Sequence, residues 1–185
     1  MKVEKRWTIS NMLSLSRVVL LVPVVIMILR PGSENRVAAV VIMLLAASTD
    51  FFDGLLARAL NQVTDFGKIL DPVADKICVI TASLALVAAG DVPVWFALLV
   101  LLRDVAILIG STVIISRRRI VVQSVWTGKL TVTFIAAYLV LATLKVGVLQ
   151  QITSIFLYLS TFAVFVSFAV YVNIFRKDMM QGANT

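Results

Sequence analysis

The sequence predicts an all-α integral membrane protein of six transmembrane helices, with both termini in the cytoplasm. Composition is the first reason. Of 185 residues, 61% are hydrophobic and 15% charged, at a mean hydropathy of +1.02, whereas a soluble domain is roughly half apolar and about a quarter charged. One small core cannot enclose that surplus, so lipid has to solvate it. Pattern is the second reason. The apolar residues come in long continuous runs without the alternation of a barrel strand, which leaves helices as the spanning form. Charge is the third. The net +7 is spread as punctuation between apolar runs and forms no basic face. That argues against nucleic acid and suits loops beside an anionic membrane surface. The single Cys78 excludes an internal disulfide, and the absence of His removes imidazole bases and His zinc sites.

The six spans fall at 11–29, 37–52, 68–89, 92–116, 130–148 and 152–175, each approaching the ~20 residues that cross a bilayer. The second is short unless it continues as helix through 50–60. Arg30-Pro31-Gly32-Ser33, Gly90-Asp91 and Lys145-Val146-Gly147 break the chain between spans. Residues 2–8 suit a short interfacial helix. The first run contains Arg17 and leads into further membrane sequence, unlike a cleavable signal peptide. One domain over residues 1–185 is expected. With the N-terminus inside, eleven Lys and Arg lie on the cytoplasmic side (Lys2, Lys5, Arg6, Arg58, Lys68, Arg117, Arg118, Arg119, Lys129, Arg176 and Lys177). Only Arg30, Arg36 and Lys145 lie outside. That asymmetry sets the N-in, C-in topology.

Between Thr49 and Lys76 stand Asp50, Asp53, Asp65, Asp71 and Asp75, half of the ten acidic residues in the chain. Asp50 and Asp53 are three apart, on one helical face with a rise of ~4.5 Å between them. Asp71 and Asp75 are four apart and share a face likewise. A turn at 61–66 can bring the two pairs together on antiparallel helices. Four carboxylates at low dielectric require cations, and such hard oxygen ligands suit two shared Mg²⁺ or Mn²⁺ ions. Gly54 and Gly67 remove side chains beside the acids, permitting close packing or ligand approach. Arg58, one turn beyond Gly54, can grip a phosphate bidentately. Asp71 before Pro72 has an alternative as a helix cap. Asp65, Glu4, Glu34, Asp91 and Asp178 read as solvated loop residues, whereas acids at membrane depth are functional by default.

The array Asp50-x2-Asp53-Gly54-x2-Ala57-Arg58-x8-Gly67-x3-Asp71-x3-Asp75 resembles, position for position, the signature of the CDP-alcohol phosphotransferase family. The resemblance implies a membrane enzyme, usually homodimeric, that displaces CMP from a CDP-linked lipid such as CDP-diacylglycerol. It further implies that Asp50, Asp53, Asp71 and Asp75 hold two divalent ions and that Asp75 is also the general base. Gly54, Arg58 and Thr64 match positions that contact the CDP moiety, and Ala57 and Gly67 match small positions that make room for it.

The stretch Ser10 to Arg17, the Thr64 to Lys76 segment and Val125-Trp126-Thr127-Gly128-Lys129 resemble the branch whose acceptor is glycerol 3-phosphate. Arg103-Asp104 is instead similar to the cardiolipin-forming branch, whose acceptor is phosphatidylglycerol. A small dianion needs its own cations, for which Arg103, Arg118, Arg119 and Lys129 are the candidates. Positive-inside anchoring is the alternative for Arg117–Arg119. Arg17 and Lys76 either line the site or snorkel. Two other enzyme classes and one carrier class compete. Membrane prenyltransferases keep their Asp-rich tracts far apart, and an intramembrane aspartyl protease has no use for the glycines or Arg58. A cation carrier would not depend on CMP.

Overall fold

The structure, a computed structural model, describes residues 9–59, 65–118 and 126–182. These residues form six α-helices: α1 (Ile9–Leu29), α2 (Ser33–Ala59), α3 (Asp65–Ala88), α4 (Val94–Arg118), α5 (Trp126–Leu144) and α6 (Gln150–Gly182). A single 3₁₀ turn, Gly147–Leu149, precedes α6. The all-helical class and the order of the six apolar segments agree with the sequence reading. The second segment does run on, since α2 continues unbroken to Ala59. The last extends further than expected, to Gly182. The proposed helix at 2–8 lies outside the described residues.

Each break has a local cause. After α1, Gly32 adopts φ +115, and Asn35 Nδ2 donates to the Pro31 carbonyl at 2.9 Å to close the turn into α2. At the end of α3, Gly90 sits at φ +74. Its N–H reaches the Val87 carbonyl at 3.0 Å, and the Asp91 N–H reaches that of Leu86 at 2.9 Å. This paired arrangement is a Schellman cap, in which a left-handed glycine lets the last carbonyls find donors. Pro93 then prevents continuation, and α4 starts at Val94. Lys145, at φ 49, turns the chain after α5.

The described residues belong to two compact units. The first comprises α1, α2, α3 and Ala142–Lys145; the second comprises α4, the preceding part of α5, the 3₁₀ turn and α6. In the first, α1 packs against both α2 and α3. Small and hydroxyl side chains, among them Ser14, Ala39, Ala74, Ala82, Ser83 and Thr143, share its interior with Val24, Ile28 and Leu86. In the second, α4 packs on α6, and Phe96 meets Tyr138 edge-on with ring centroids 4.8 Å apart. Thr131 Oγ1 lies 2.7 Å from the Thr127 carbonyl and 3.0 Å from that of Ala163, tying α5 to α6.

Large apolar side chains face outward instead: Val19 and Val22 on α1, and Ile155, Tyr158, Phe162 and Phe165 on α6. An interior that mixes hydroxyl and small side chains with Ile28, Leu86, Phe96 and Leu139, inside a large apolar exterior, departs from the soluble pattern and matches helices packed in lipid. The helix Trp126–Leu144 and the stretch Gly147–Ile174 are each long and apolar enough to cross a bilayer, and Ser14–Leu29 is a shorter apolar helix. These are the properties of a membrane protein.

Several readings are overturned. Asp65, Glu34 and Asp178, read as loop residues, stand in the helices α3, α2 and α6. Asp91 is no solvated loop residue: its side chain is 3% exposed and pairs with Arg36 at 2.5 Å and Lys145 at 2.7 Å. An aspartate beside a helix cap turns inward here because two cations, from the start of α2 and the end of α5, neutralise it. Nor does Asp71 cap a helix. α3 begins at Asp65, so Asp71-Pro72 lies within its second turn.

Candidate active site on α2 and α3

The backbone carries the acidic signature on two helices that share a neighbour. Asp50 and Asp53 stand in the C-terminal half of α2, and Asp71 and Asp75 in the N-terminal half of α3; both helices pack against α1. Gly54, Ala57, Arg58 and Gly67 lie on the same two helices. The side chains of Asp50, Asp53, Ala57, Arg58 and Asp71 lie outside the described set, as does all of Thr64. Asp75 is therefore the carboxylate whose surroundings are defined.

Those surroundings come from α1. Arg17 Nη1 donates to Asp75 Oδ1 at 2.5 Å, across 58 residues of sequence. Arg17 Nη2 donates to Ser14 Oγ at 3.2 Å, one turn earlier on the same helix. The Arg17 side chain is 5% exposed, while that of Asp75 is 51% exposed. Arg17 is therefore not snorkelling; it spends its charge inward on an acid of the signature. Lys76, the other undecided cation, is partly exposed. The donor chemistry suits a divalent ion: a half-open carboxylate, with Asp71 one turn earlier on the same helix, and no imidazole in the chain.

The acceptor candidates belong to the second unit. Arg103 is buried in α4, donating from Nη1 to Asp104 Oδ1 at 2.7 Å and from Nη2 to Ser167 Oγ on α6 at 3.1 Å. Its Nε is buried without a partner, as is Thr127 Oγ1. Gly128 of α5 faces this group: a Cβ there would lie 3.4 Å from Tyr171 Oη and 3.6 Å from Arg103 Nη2, at ordinary contact distance. Lys129 is exposed, its Nζ 5.9 Å from the centroid of the Trp126 ring, a cation–π arrangement at a helix start. Arg118 ends α4 with its side chain outside the described set, and Arg119 lies outside it entirely.

Residues 7–172 match the CDP-alcohol phosphatidyltransferase family. The chain belongs to this family. Among its relatives, a probable phosphatidylglycerophosphate synthase of Mycobacterium tuberculosis (strain ATCC 25618 / H37Rv) is 40% identical over 133 residues, 70% of this chain and 62% of that protein. The CDP-diacylglycerol–glycerol-3-phosphate 3-phosphatidyltransferase of Aquifex aeolicus (strain VF5) is 37% identical over 145 residues, 77% of this chain and 76% of its own length. A CMP-forming cardiolipin synthase of Streptomyces coelicolor is 32% identical over 105 residues, 55% of this chain and 49% of that protein. The chain thus spans less than two thirds of the mycobacterial protein.

Sequence reasoning left Arg17 undecided and did not single out Ser14, Ser167 or Tyr171. A usable signal existed for the first pair: Ser14 precedes Arg17 by three residues, the spacing at which a hydroxyl meets a guanidinium on a helix. None existed for Ser167, which lies 64 residues from Arg103.

Proposed function

We propose that the protein transfers the phosphatidyl group of CDP-diacylglycerol to sn-glycerol 3-phosphate, releasing CMP and forming phosphatidylglycerophosphate. The observation that carries this reading is the eight-position array from Asp50 to Asp75 on two helices that both pack against α1, in a chain 37–40% identical to proteins named for that reaction. All six helices span the cell (inner) membrane, N-in and C-in, with the active site facing the cytoplasm, as the eleven-to-three distribution of basic residues supports. The working form is a homodimer.

Asp50, Asp53, Asp71 and Asp75 would hold two Mg²⁺ or Mn²⁺ ions, which when bound neutralise the diphosphate. Arg58 and Thr64 bind the CDP moiety, with Gly54, Ala57 and Gly67 leaving it room. Asp75 accepts the proton of the acceptor hydroxyl as that oxygen attacks the phosphorus next to diacylglycerol and CMP departs. No covalent enzyme intermediate is required. Arg103, Arg118, Arg119 and Lys129 supply the cationic surroundings of the acceptor phosphate.

Purified protein given CDP-diacylglycerol and a panel of alcohols, with products identified by mass, tests the reading. Phosphatidylglycerophosphate and CMP are expected, and exhaustive chelation should abolish both. Full activity after chelation would remove the two-ion site, and failure to run backward on CMP and phospholipid would remove the reaction class. A second reading has support in Arg103-Asp104 and in the Streptomyces relative: transfer to phosphatidylglycerol. Cardiolipin formed with no use of glycerol 3-phosphate would decide for it.

A further inference from the structure

We propose that Arg17 is a positioning residue: from α1, it clamps one oxygen of Asp75 and so holds that carboxylate in its working orientation. The inference rests on the proposed role of Asp75 and adds the residue through which α1 takes part.

Burying a guanidinium in an apolar helix costs several kcal/mol unless a partner compensates. Arg17 is nonetheless buried, so its surroundings must repay it. Asp75 contributes one charge-assisted bond at 2.5 Å, and Ser14, fully buried, receives the other arm at 3.2 Å. Two arms of one planar fork thus reach two anchors, one on its own helix and one on α3. A lysine offers one compact ammonium in place of the planar fork and holds the two anchors with less fixed geometry.

The consequence falls on Asp75. An aspartate in a helix samples several staggered side-chain rotamers. A donor fixed at Oδ1 selects one of them. Half of the side chain stays open, so the clamp orients the carboxylate without enclosing it. Supporting partners of this kind change metal affinity or activity by about 10–100-fold when removed.

The test uses full-length protein in lipid nanodiscs, with Mn²⁺ binding followed by electron paramagnetic resonance and turnover measured separately. Arg17→Gln should weaken Mn²⁺ binding by about tenfold or more. It should lower kcat by a similar factor and leave KM for CDP-diacylglycerol within about threefold. Arg17→Lys should stay nearer to the Gln variant than to wild type. Ser14→Ala keeps the charge and loosens the anchor, so it should shift both readouts in the same direction by a smaller factor; it decides the matter if Arg17→Gln does not fold. Tighter Mn²⁺ binding in Arg17→Gln would overturn the proposal, because a mere counter-charge competing with the cation behaves that way. So would an unchanged Mn²⁺ affinity, a loss confined to KM, full recovery by Lys, or an unaltered Ser14→Ala. Wild-type protein that binds no Mn²⁺ and releases no CMP would instead refute the reading of Asp75 itself.

Discussion

Asp75 and Asp91 belong to the same stretch of chain, one in the N-terminal half of α3 and the other just beyond its end. Each forms an ion pair with an arginine from another helix at 2.5 Å. Their environments differ in kind. Asp91 is closed, with Arg36 on one oxygen and Lys145 on the other. Asp75 is bonded at one oxygen by a buried arginine while half of its side chain remains open. A carboxylate paired with a cation on each oxygen and enclosed is suited to holding structure together. A carboxylate pinned but open can take a cation or a proton. An ion pair alone therefore does not mark a functional acid; the remaining open surface does.

Breaking the two sites should separate the roles. The largest effect expected is that of Asp75→Asn: a loss of turnover of about 10²–10⁴-fold, the usual worth of a proton acceptor. CDP-lipid binding should be retained, whereas Asp50→Asn should lose both. Equilibrium binding of CDP-diacylglycerol beside a CMP-release assay measures the difference. Equal loss of binding in the two variants would make Asp75 a metal ligand alone.

Asp91→Asn should behave oppositely. It leaves Arg36, itself largely buried, without its counter-charge, at a cost of about 3 kcal/mol of stability. Turnover measured well below the melting temperature should be near normal. A melting curve in detergent or nanodiscs checks the first expectation, and a kcat comparable to that of Asp75→Asn would erase the distinction between the two acids. The smallest effect belongs to Lys145→Gln. The Lys145 side chain is 63% exposed, so its half of the cluster is screened and should contribute under about 1 kcal/mol. A much larger shift in melting would mean that Lys145, rather than Arg36, anchors Asp91.

Much of the fold was legible because it is local. The breaks at Pro31-Gly32 and Gly90-Asp91 carry residues whose backbone preferences end helices in any context, and the observed positive φ angles fall at those glycines. The pairing of Asp50 with Asp53 and of Asp71 with Asp75 follows from helical periodicity alone. Asp91 was misread for the complementary reason. Its position beside a turn signals solvent, and its cations arrive from 55 residues before and 54 residues after it.

The sequence by itself therefore determined the helices, their breaks, the lipid-facing composition and the register of the acidic array. Each of these depends on residues within a few helical turns of one another. Only the tertiary structure decided which charges meet. Packing α1 against α3 turned Arg17 from an undecided cation into the partner of Asp75. The Ala142–Lys145 segment, joining the first unit, completed the enclosure of Asp91. Coulomb and hydrogen-bond energies fall off over a few ångströms, so they are set by neighbours in space, and residues far apart in sequence become neighbours only when the helices pack.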